Sequence, residues 1–387
     1  MKLPIDLKAV IEAATDIESA RSTPVSVSVL IDDSAPGDVA AHVRSAFVGA
    51  GAHARVTVGY FAGPAFSPYE GDDMAVIVAG FSEEVGRRAA EIRAAGVPVM
   101  VVTSMPSLVA DMASAYGNPI PEGDLVAPEG VEGCEADGDA ACASGEVSGA
   151  HVSVFAGIRA AKSAGAGAAA RFAGAVASSP DVLDAPILID AAAACALDRR
   201  MGEWVVAACR EKRLALALSF PFVRKPLSLE AVSATSLQNA GIGLVLFIPG
   251  ADMPLMTLNQ AKMLLQIAAA YGEPMSAARV KELAAIVAGG FACRSVARQV
   301  AGAVPAIGWA VKAGVGYAGT KAMGLAAVEY FERGGNIAGL AGVVSSATAK
   351  ATQIAGDVAA TPAGARVLST VKTAVRQGAA SVLKKTE

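Results

Sequence analysis

Asp32, Asp33 and Asp38 are the residues of this 387-residue chain whose types and spacing come closest to chemistry. They lie in Asp32-Asp33-Ser34-Ala35-Pro36-Gly37-Asp38-Val39, after an apolar run that reads as a strand and before a stretch that reads as a helix. A strand–loop–helix junction is where a phosphate-binding loop belongs. Such a loop needs GxxxxGK[ST]: glycines turn backbone N–H groups toward the phosphates, and a lysine neutralises them. Here Pro36 deletes a donor, Asp38 puts a carboxylate where the lysine is needed, and Val39 replaces the hydroxyl. Three carboxylates would repel a triphosphate. They have the composition of a hard-cation site, but a solvated loop is the commoner outcome of such a cluster.

Other candidates reduce to packing. Cys134, Cys142 and His151 match no zinc spacing. The three histidines, His42, His53 and His151, sit in no nucleophile motif. Gly314, Gly316 and Gly319 spell GxGxxG, followed by Thr320-Lys321 in the reverse of the phosphate-loop order, and Gly165, Gly167 and Ala170 spell GxGxxA. The dinucleotide fingerprint needs a strand, a tight turn and then a helix. Both glycine sets stand in Ala-rich helical surroundings, where small residues serve close helix contact. Arg199, Arg200 and Trp204, then Phe220-Pro221-Phe222-Val223-Arg224-Lys225, read as helix ends and contact anchors, with phosphate groups as the alternative ligand. Met253, Met256 and Met263 read as core, with an adaptable groove as the alternative. No residue is assigned to catalysis, to a cofactor or to a metal.

The elements that must position these residues follow from periodicity. Residues 3–19 space apolar side chains as a helix. Strands are expected at Val25–Ile31, Arg55–Phe61, Met74–Ala79 and Val97–Val102. Helices are expected at Asp38–Val48, from Ser82 to Gly96, and at Ser107–Tyr116. Strands alternating with helices predict an α/β domain with a largely parallel sheet. Residues 118–150 hold eight acids and no Lys or Arg, the composition of a flexible insertion. Beyond it the chain reads as all-α, with helices over 152–176, 182–218, 228–248, 253–271, 277–300 and 306–331. Within 253–271, Asp252 is a cap, Pro254 fits the first turn, and Gly272 is a left-handed terminator.

Charge divides the chain. Residues 1–150 carry 8 Lys/Arg and 22 Asp/Glu, whereas residues 151–387 carry 24 and 14. The basic half suits anionic lipid, the acidic half of its own chain, or that of a second copy. The tail 336–387 places Arg366, Lys372, Arg376, Lys384 and Lys385 beside an apolar helical face. Together with Lys312 and Lys321 these are the candidate contacts for a membrane or a protein partner; nothing points to nucleic acid. Two spans, at 241–261 and 300–328, are the tempting alternative. Pro249 to Pro254 divides the first into pieces well short of the ~20 residues a span needs, and Lys312 and Lys321 interrupt the second. Asp6, Lys8 and Glu12 interrupt any leader-like apolar region, so the expected setting is cytoplasmic, at the inner face of the membrane.

Two resemblances organise these readings. VSVSVLI–loop–helix, GDDMAVIVAGFSEE and AAGVPVMVVTSMP resemble the skeleton of small GTPase-like domains over residues 24–117. In that comparison Gly37-Asp38-Val39 replaces the Gly-Lys-Ser/Thr step, and Thr103-Ser104-Met105-Pro106 replaces the base-reading motif, so the resemblance implies a degenerate P-loop GTPase-like domain without nucleotide. Residues 240–331 resemble the YcjF-type domain that follows GTPase-like domains in many bacterial proteins. Pro249-Gly250-Ala251-Asp252-Met253-Pro254, Thr257-Leu258-Asn259-Gln260, Ala270-Tyr271-Gly272 and Val304-Pro305-Ala306-Ile307-Gly308 carry it. It implies a helical, membrane-associated domain with no catalytic residues to transfer. The expected order is a GTPase-like α/β domain (1–117), an acidic insertion (118–150), a helical domain (151–335) and a basic amphipathic tail (336–387). The expected function is that of a non-enzymatic scaffold or adaptor, with a divergent nucleotide switch or a multi-pass membrane protein as alternatives. Limited digestion with a glutamate-specific protease is expected to cut first within 118–150, read by mass spectrometry of the earliest fragments; first cuts elsewhere would contradict it.

Overall fold

The computed structural model describes residue 14 and residues 17–62, 71–128, 189–245, 252–274, 308–336, 339 and 342. The chain divides into two compact units, Pro24–Val223 and a second made of Met1–Thr23 with Arg224–Glu387.

In the first unit β1 (Val25–Ile31), β2 (Ala54–Tyr60), β3 (Met74–Val78), β4 (Val99–Val102) and β5 (Leu125–Val126) form one sheet in the order β2-β1-β3-β4-β5. Every pairing is parallel. The helices of this unit are α1 (Gly37–Val48), α2 (Glu84–Ala94), α3 (Pro106–Ala115), α4 (Ala191–Ala208) and α5 (Arg213–Ser219). β3 and β4 read MAVIV and VMVV and are buried at every position, as strands covered on both faces must be. On one face Leu30, Ala75, Ile77, Val99 and Val101 pack against Val85, Ala89 and Ile92 of α2 and Val109 and Ala113 of α3.

β1 departs from that uniform apolarity at Ser26 and Ser28, and the reason lies just before β3. Ser26 Oγ donates to Asp72 Oδ1 at 2.6 Å, and Ser28 Oγ donates to Asp72 Oδ2 at 2.5 Å. Asp73 accepts from the Ser26 N–H at 2.9 Å and pairs with Lys212 Nζ at 2.7 Å. The polar positions of β1 are therefore those that face a carboxylate.

The strands and helices expected between residues 25 and 116 are present, with ends shifted by at most two residues; most of the helix expected over 3–19 lies outside the described residues. Past 117 the structure corrects the sequence. The composition of 118–150 predicts a flexible insertion, yet Glu122–Asp124 forms a 3-10 turn and Leu125–Val126 completes the sheet. Asp124 pairs with Arg93 of α2 at 3.0 Å, and Ile120 and Val126 are buried. A long-range cation and two apolar anchors supply what local composition lacks. Residues 129–150 lie outside the described residues, as do the helices expected at 152–176 and 277–300 and nearly all of the tail.

The single helix expected over 182–218 is two, α4 and α5. The break at 209–212 lets Lys212 donate to the Pro24 carbonyl at 3.1 Å as well as reach Asp73. Cys209 is buried there beside Asp73, and burial above all pushes its thiol up to about 12, so it is an inert packing group. Phe220 and Phe222 pack edge-on to Phe47 of α1, with ring centroids 5.0 and 5.2 Å away.

The boundary between the units falls inside α6 (Pro221–Val245), which starts seven residues earlier than the expected 228. The second unit continues with α7 (Asp252–Ala270) and α8 (Gly308–Glu332). Gly272 adopts φ +87° after α7, as the sequence predicts. Arg21 donates to the carbonyls of Gly272 and Glu273 at 3.2 and 2.9 Å, a cation at the negative end of a helix. That contact explains why the N-terminal residues belong with the helical unit. Among the described residues no helix is long and apolar enough to cross a membrane.

α4 is fastened to α1 by two contacts. Asp38 Oδ2 accepts the Ile189 N–H at 2.6 Å, and His42 Nε2 meets Asp198 Oδ1 at 2.8 Å. The Asp198 hydrogen bond raises the His42 pKa from 6.5, burial opposing it. A raised histidine stabilises the fold fully below about pH 6.5, its unfolded value, and the contribution is lost as pH rises through the folded one. The Asp198 side chain is 40% exposed, so solvent screening should keep the effect below about 1 kcal/mol. Chemical denaturation from pH 5 to 8 should show a stability decrement that His42→Gln abolishes; identical pH profiles for the two proteins would refute the assignment.

Candidate functional site

In a doubly wound sheet, ligands sit at the carboxyl ends of the strands where the strand order reverses. Here that place lies between β1 and β3, and the residues around it are the loop after β1 (32–36) and the loop after β3 (79–83). Asp32, the first residue past β1, is 3% exposed. Its Oδ1 accepts the Ser34 N–H at 3.1 Å. Its Oδ2 accepts the Gly80 N–H at 2.9 Å, the Ser82 N–H at 3.2 Å and the Ser34 hydroxyl at 2.9 Å. Ser34 Oγ in turn accepts the Phe81 N–H at 2.7 Å.

Three successive backbone N–H groups, those of Gly80, Phe81 and Ser82, are thus engaged by the β1 loop just ahead of α2. These are donors of the kind that a phosphate would take at a helix N-terminus. Gly80 lets the loops touch: a Cβ there would overlap the backbone of Ser34 and Ala35. The crevice at the reversal point is filled by the chain's own carboxylate.

The other acidic residues of the loop diverge from it. Asp33 Oδ2 accepts the Ala62 N–H at 2.7 Å. Asp38 turns to its own helix and to α4, its Oδ1 accepting the Val39 N–H at 2.9 Å and its Oδ2 the Ile189 N–H. The three carboxylates that the sequence grouped for a cation are therefore spent on three separate backbone targets. Among the described residues no group of three or more His, Cys, Asp or Glu is placed to hold a metal ion. Gly37 opens α1 with open space around it, and Val39 is fully buried in the core.

After β4, Thr103 is fully buried and its Oγ1 accepts the Met105 N–H at 3.1 Å. Pro106 then begins α3. The segment that stands in the place of a base-reading motif is a helix start, with Ser104 Oγ buried and without a hydrogen-bond partner.

The remaining candidates are dispersed. Lys321 is exposed on α8, its Nζ 5.7 Å from the centroid of the Tyr317 ring. Lys312 lies in the backbone span of the same helix. Arg366, Lys372, Arg376, Lys384 and Lys385 lie outside the described residues, as do Cys134, Cys142, His151 and the 165–170 glycines. Gly314, Gly316 and Gly319 fall inside α8, so their motif has helix geometry and not that of a turn. Arg200 donates to the Ala127 carbonyl at 3.0 Å, and Trp204, Met256 and Met263 are buried. His53 is exposed.

The sequence groups Asp32 with Asp33 and Asp38 as a candidate cation cluster and does not show its bonds to the loop after β3. The signal was present: Asp followed two residues later by Ser is an Asx-turn pattern, and Gly80 follows an apolar strand directly. Their meeting across the reversal point needs the strand order, which local pattern does not contain. Comparison with protein-family models, curated proteins and solved structures finds no match to this chain.

Two substitutions test the filled crevice. Asp32→Asn keeps the shape and replaces an acceptor oxygen by a donor amide against N–H groups; the loss should be about 2–4 kcal/mol. Gly80→Ala forces the loops apart at a cost of about 1–3 kcal/mol. Urea unfolding of both variants checks this, and a loss below about 0.5 kcal/mol for Asp32→Asn would refute the load assigned to that carboxylate.

Proposed function

We propose that this protein is a non-enzymatic scaffold. Its α/β unit is a degenerate, GTPase-like domain that has lost its ligand, and its helical unit, resembling the YcjF-type domain, attaches to the cytoplasmic face of a membrane or to a partner protein there. The observation that carries the reading is Asp32: the donors best placed for a phosphate at the strand-order reversal already hold an internal carboxylate. An incoming phosphate would have to expel that carboxylate and face Asp33 nearby, with no loop lysine to offset either cost. Support for the attachment comes from charge. The back half of the chain carries 24 Lys/Arg against 14 Asp/Glu, and each Lys or Arg near an anionic surface contributes ~1 kcal/mol.

The test takes one purified preparation through two measurements. Titration calorimetry with Mg-GTP and Mg-ATP is expected to show no binding up to millimolar nucleotide; micromolar affinity for either would overturn the scaffold reading in favour of a divergent switch. Flotation with vesicles containing anionic lipid is expected to capture the protein at low salt and release it as salt rises. Capture that resists both high salt and a carbonate wash would point to spanning segments, and no capture at any salt would remove the lipid arm.

A further inference from the structure

The helical unit buries a cluster of neutral polar side chains that the scaffold reading does not use. Asn239 of α6 and Thr320 of α8 are fully buried, and Gln260 of α7 is 1% exposed. Thr320 Oγ1 accepts from Asn239 Nδ2 at 2.9 Å and from Gln260 Nε2 at 2.8 Å, and it donates to the Gly316 carbonyl at 2.7 Å. A hydroxyl has one donor and two acceptor sites, so Thr320 is saturated. Asn239 also receives Asn259 Nδ2 on its Oδ1 at 3.0 Å and reaches the Met256 carbonyl at 3.4 Å. One hydroxyl thus joins three helices.

What keeps these helices in register differs from pair to pair. α6 and α8 are keyed by shape. A Cβ on Gly316 would come within 3.1 Å of the Asn239 carbonyl oxygen, and one on Gly324 would overlap the Val232 side chain. Moving up α8 from 316 to 324 moves down α6 from 239 to 232, so the helices run antiparallel, with Val232 seated over the notch at Gly324. α7 meets the Gly316 notch only through the flexible end of a side chain: a Cβ there would come within 3.2 Å of Met256 Cε. Its buried side chains include Met256, Met263, Leu264, Leu265 and Ile267. Its thioethers and leucines adapt their packing readily, whereas Ile267, Ala261 and Ala268 to Ala270 are buried with less freedom. The hydrogen bonds are stricter still. A slide of one turn carries Gln260 and Asn259 about 5.4 Å away from their acceptors, and buried amides are costly to strand.

We propose that the Thr320 hub is a register lock: it fixes one axial position of α7 against the α6–α8 pair, adding direction to contacts that the adaptable thioether and leucine side chains make without it. A buried polar position that fixes helix register is the best-attested use of such groups. Here the lock spans three amides, Asn239, Asn259 and Gln260, and one hydroxyl, and these bonds meet at Thr320 Oγ1 and Asn239.

Methyl NMR of the full chain, labelled at methionine, reads it directly through Met256 and Met263. In the parent protein and in Thr320→Ser, which keeps the hydroxyl, each should give one resonance. In the triple variant Asn239→Leu/Gln260→Leu/Thr320→Val the helical circular dichroism should persist while both resonances double or broaden, and the denaturant m value should fall. Single sharp resonances with an unchanged m value in the triple variant would overturn the proposal. Should that variant fail to fold, the comparison of Thr320→Val with Thr320→Ser decides: doubling in the valine variant alone supports the lock, and identical spectra refute it.

Discussion

The sheet of this protein depends on a buried carboxylate with a full set of donors. A parallel sheet ends in loops that leave in different directions, and where the strand order reverses, two adjacent loops part and expose backbone N–H groups. Many proteins use that exposure for a ligand. In this chain Asp32 turns back, bonds its own loop through Ser34, and crosses to Gly80 and Ser82. A charged acceptor buried among N–H donors is stable only while those donors stay in place. The carboxylate therefore imposes a geometry on both loops, and Gly80 is the residue that lets them obey it. The directions of α1 and α2 follow, since each helix starts within a few residues of this contact.

The same economy runs through the rest of the α/β unit. Acidic residues that look like a cluster in the sequence are each paired with a backbone group, a hydroxyl or a cation that is remote in sequence: Asp33 with Ala62, Asp38 with Ile189, Asp72 with two strand hydroxyls, Asp73 with Lys212, and Asp124 with Arg93. Most of these contacts join a loop or helix end to a different element. They serve as fasteners between elements whose apolar side chains are mostly small. Aromatics make up 5% of the chain, so few large rings are available to wedge elements together, and the Phe47, Phe220 and Phe222 group is an exception. Directional polar contacts fix positions that bulk would fix in a chain richer in aromatic residues.

Much of the fold was legible because hydrophobic period is local. Buried parallel strands read as continuous apolar runs, so β1, β3 and β4 could be placed from VSVSVLI, MAVIV and VMVV alone, and the left-handed glycines at 96 and 272 ended their helices as read. What was not legible depended on partners far along the chain. β5 is two residues long inside an acidic stretch, and it exists because Thr103 donates its N–H to the Val126 carbonyl and Arg93 meets Asp124. The division of the expected 182–218 helix depends on Lys212 reaching Asp73, a separation of more than a hundred residues. Asp38 was read as a charge facing an incoming phosphate, whereas it fastens the start of α4; nothing in its neighbours specifies Ile189 as its target.

The helical unit carries the argument one step further, because it solves the problem of positioning with neutral groups. Charged fasteners suit a loop, where backbone N–H groups, as at Asp32, or water complete the solvation. Between helices packed as closely as Gly316 and Gly324 allow, an ion would lose its hydration with little in return. An amide or hydroxyl costs less to bury and is just as directional, provided each valence is met. The core of the helical unit accordingly contains Asn239, Gln260 and Thr320, while its described ion pairs, Lys225 with Glu332 and Arg333 with Glu329 among them, lie where side chains retain solvent. The two units thus use the same physical device, a directional polar contact in place of bulk: carboxylates in the α/β unit, where backbone N–H groups, hydroxyls or a cation satisfy them, and neutral amides and a hydroxyl between the helices.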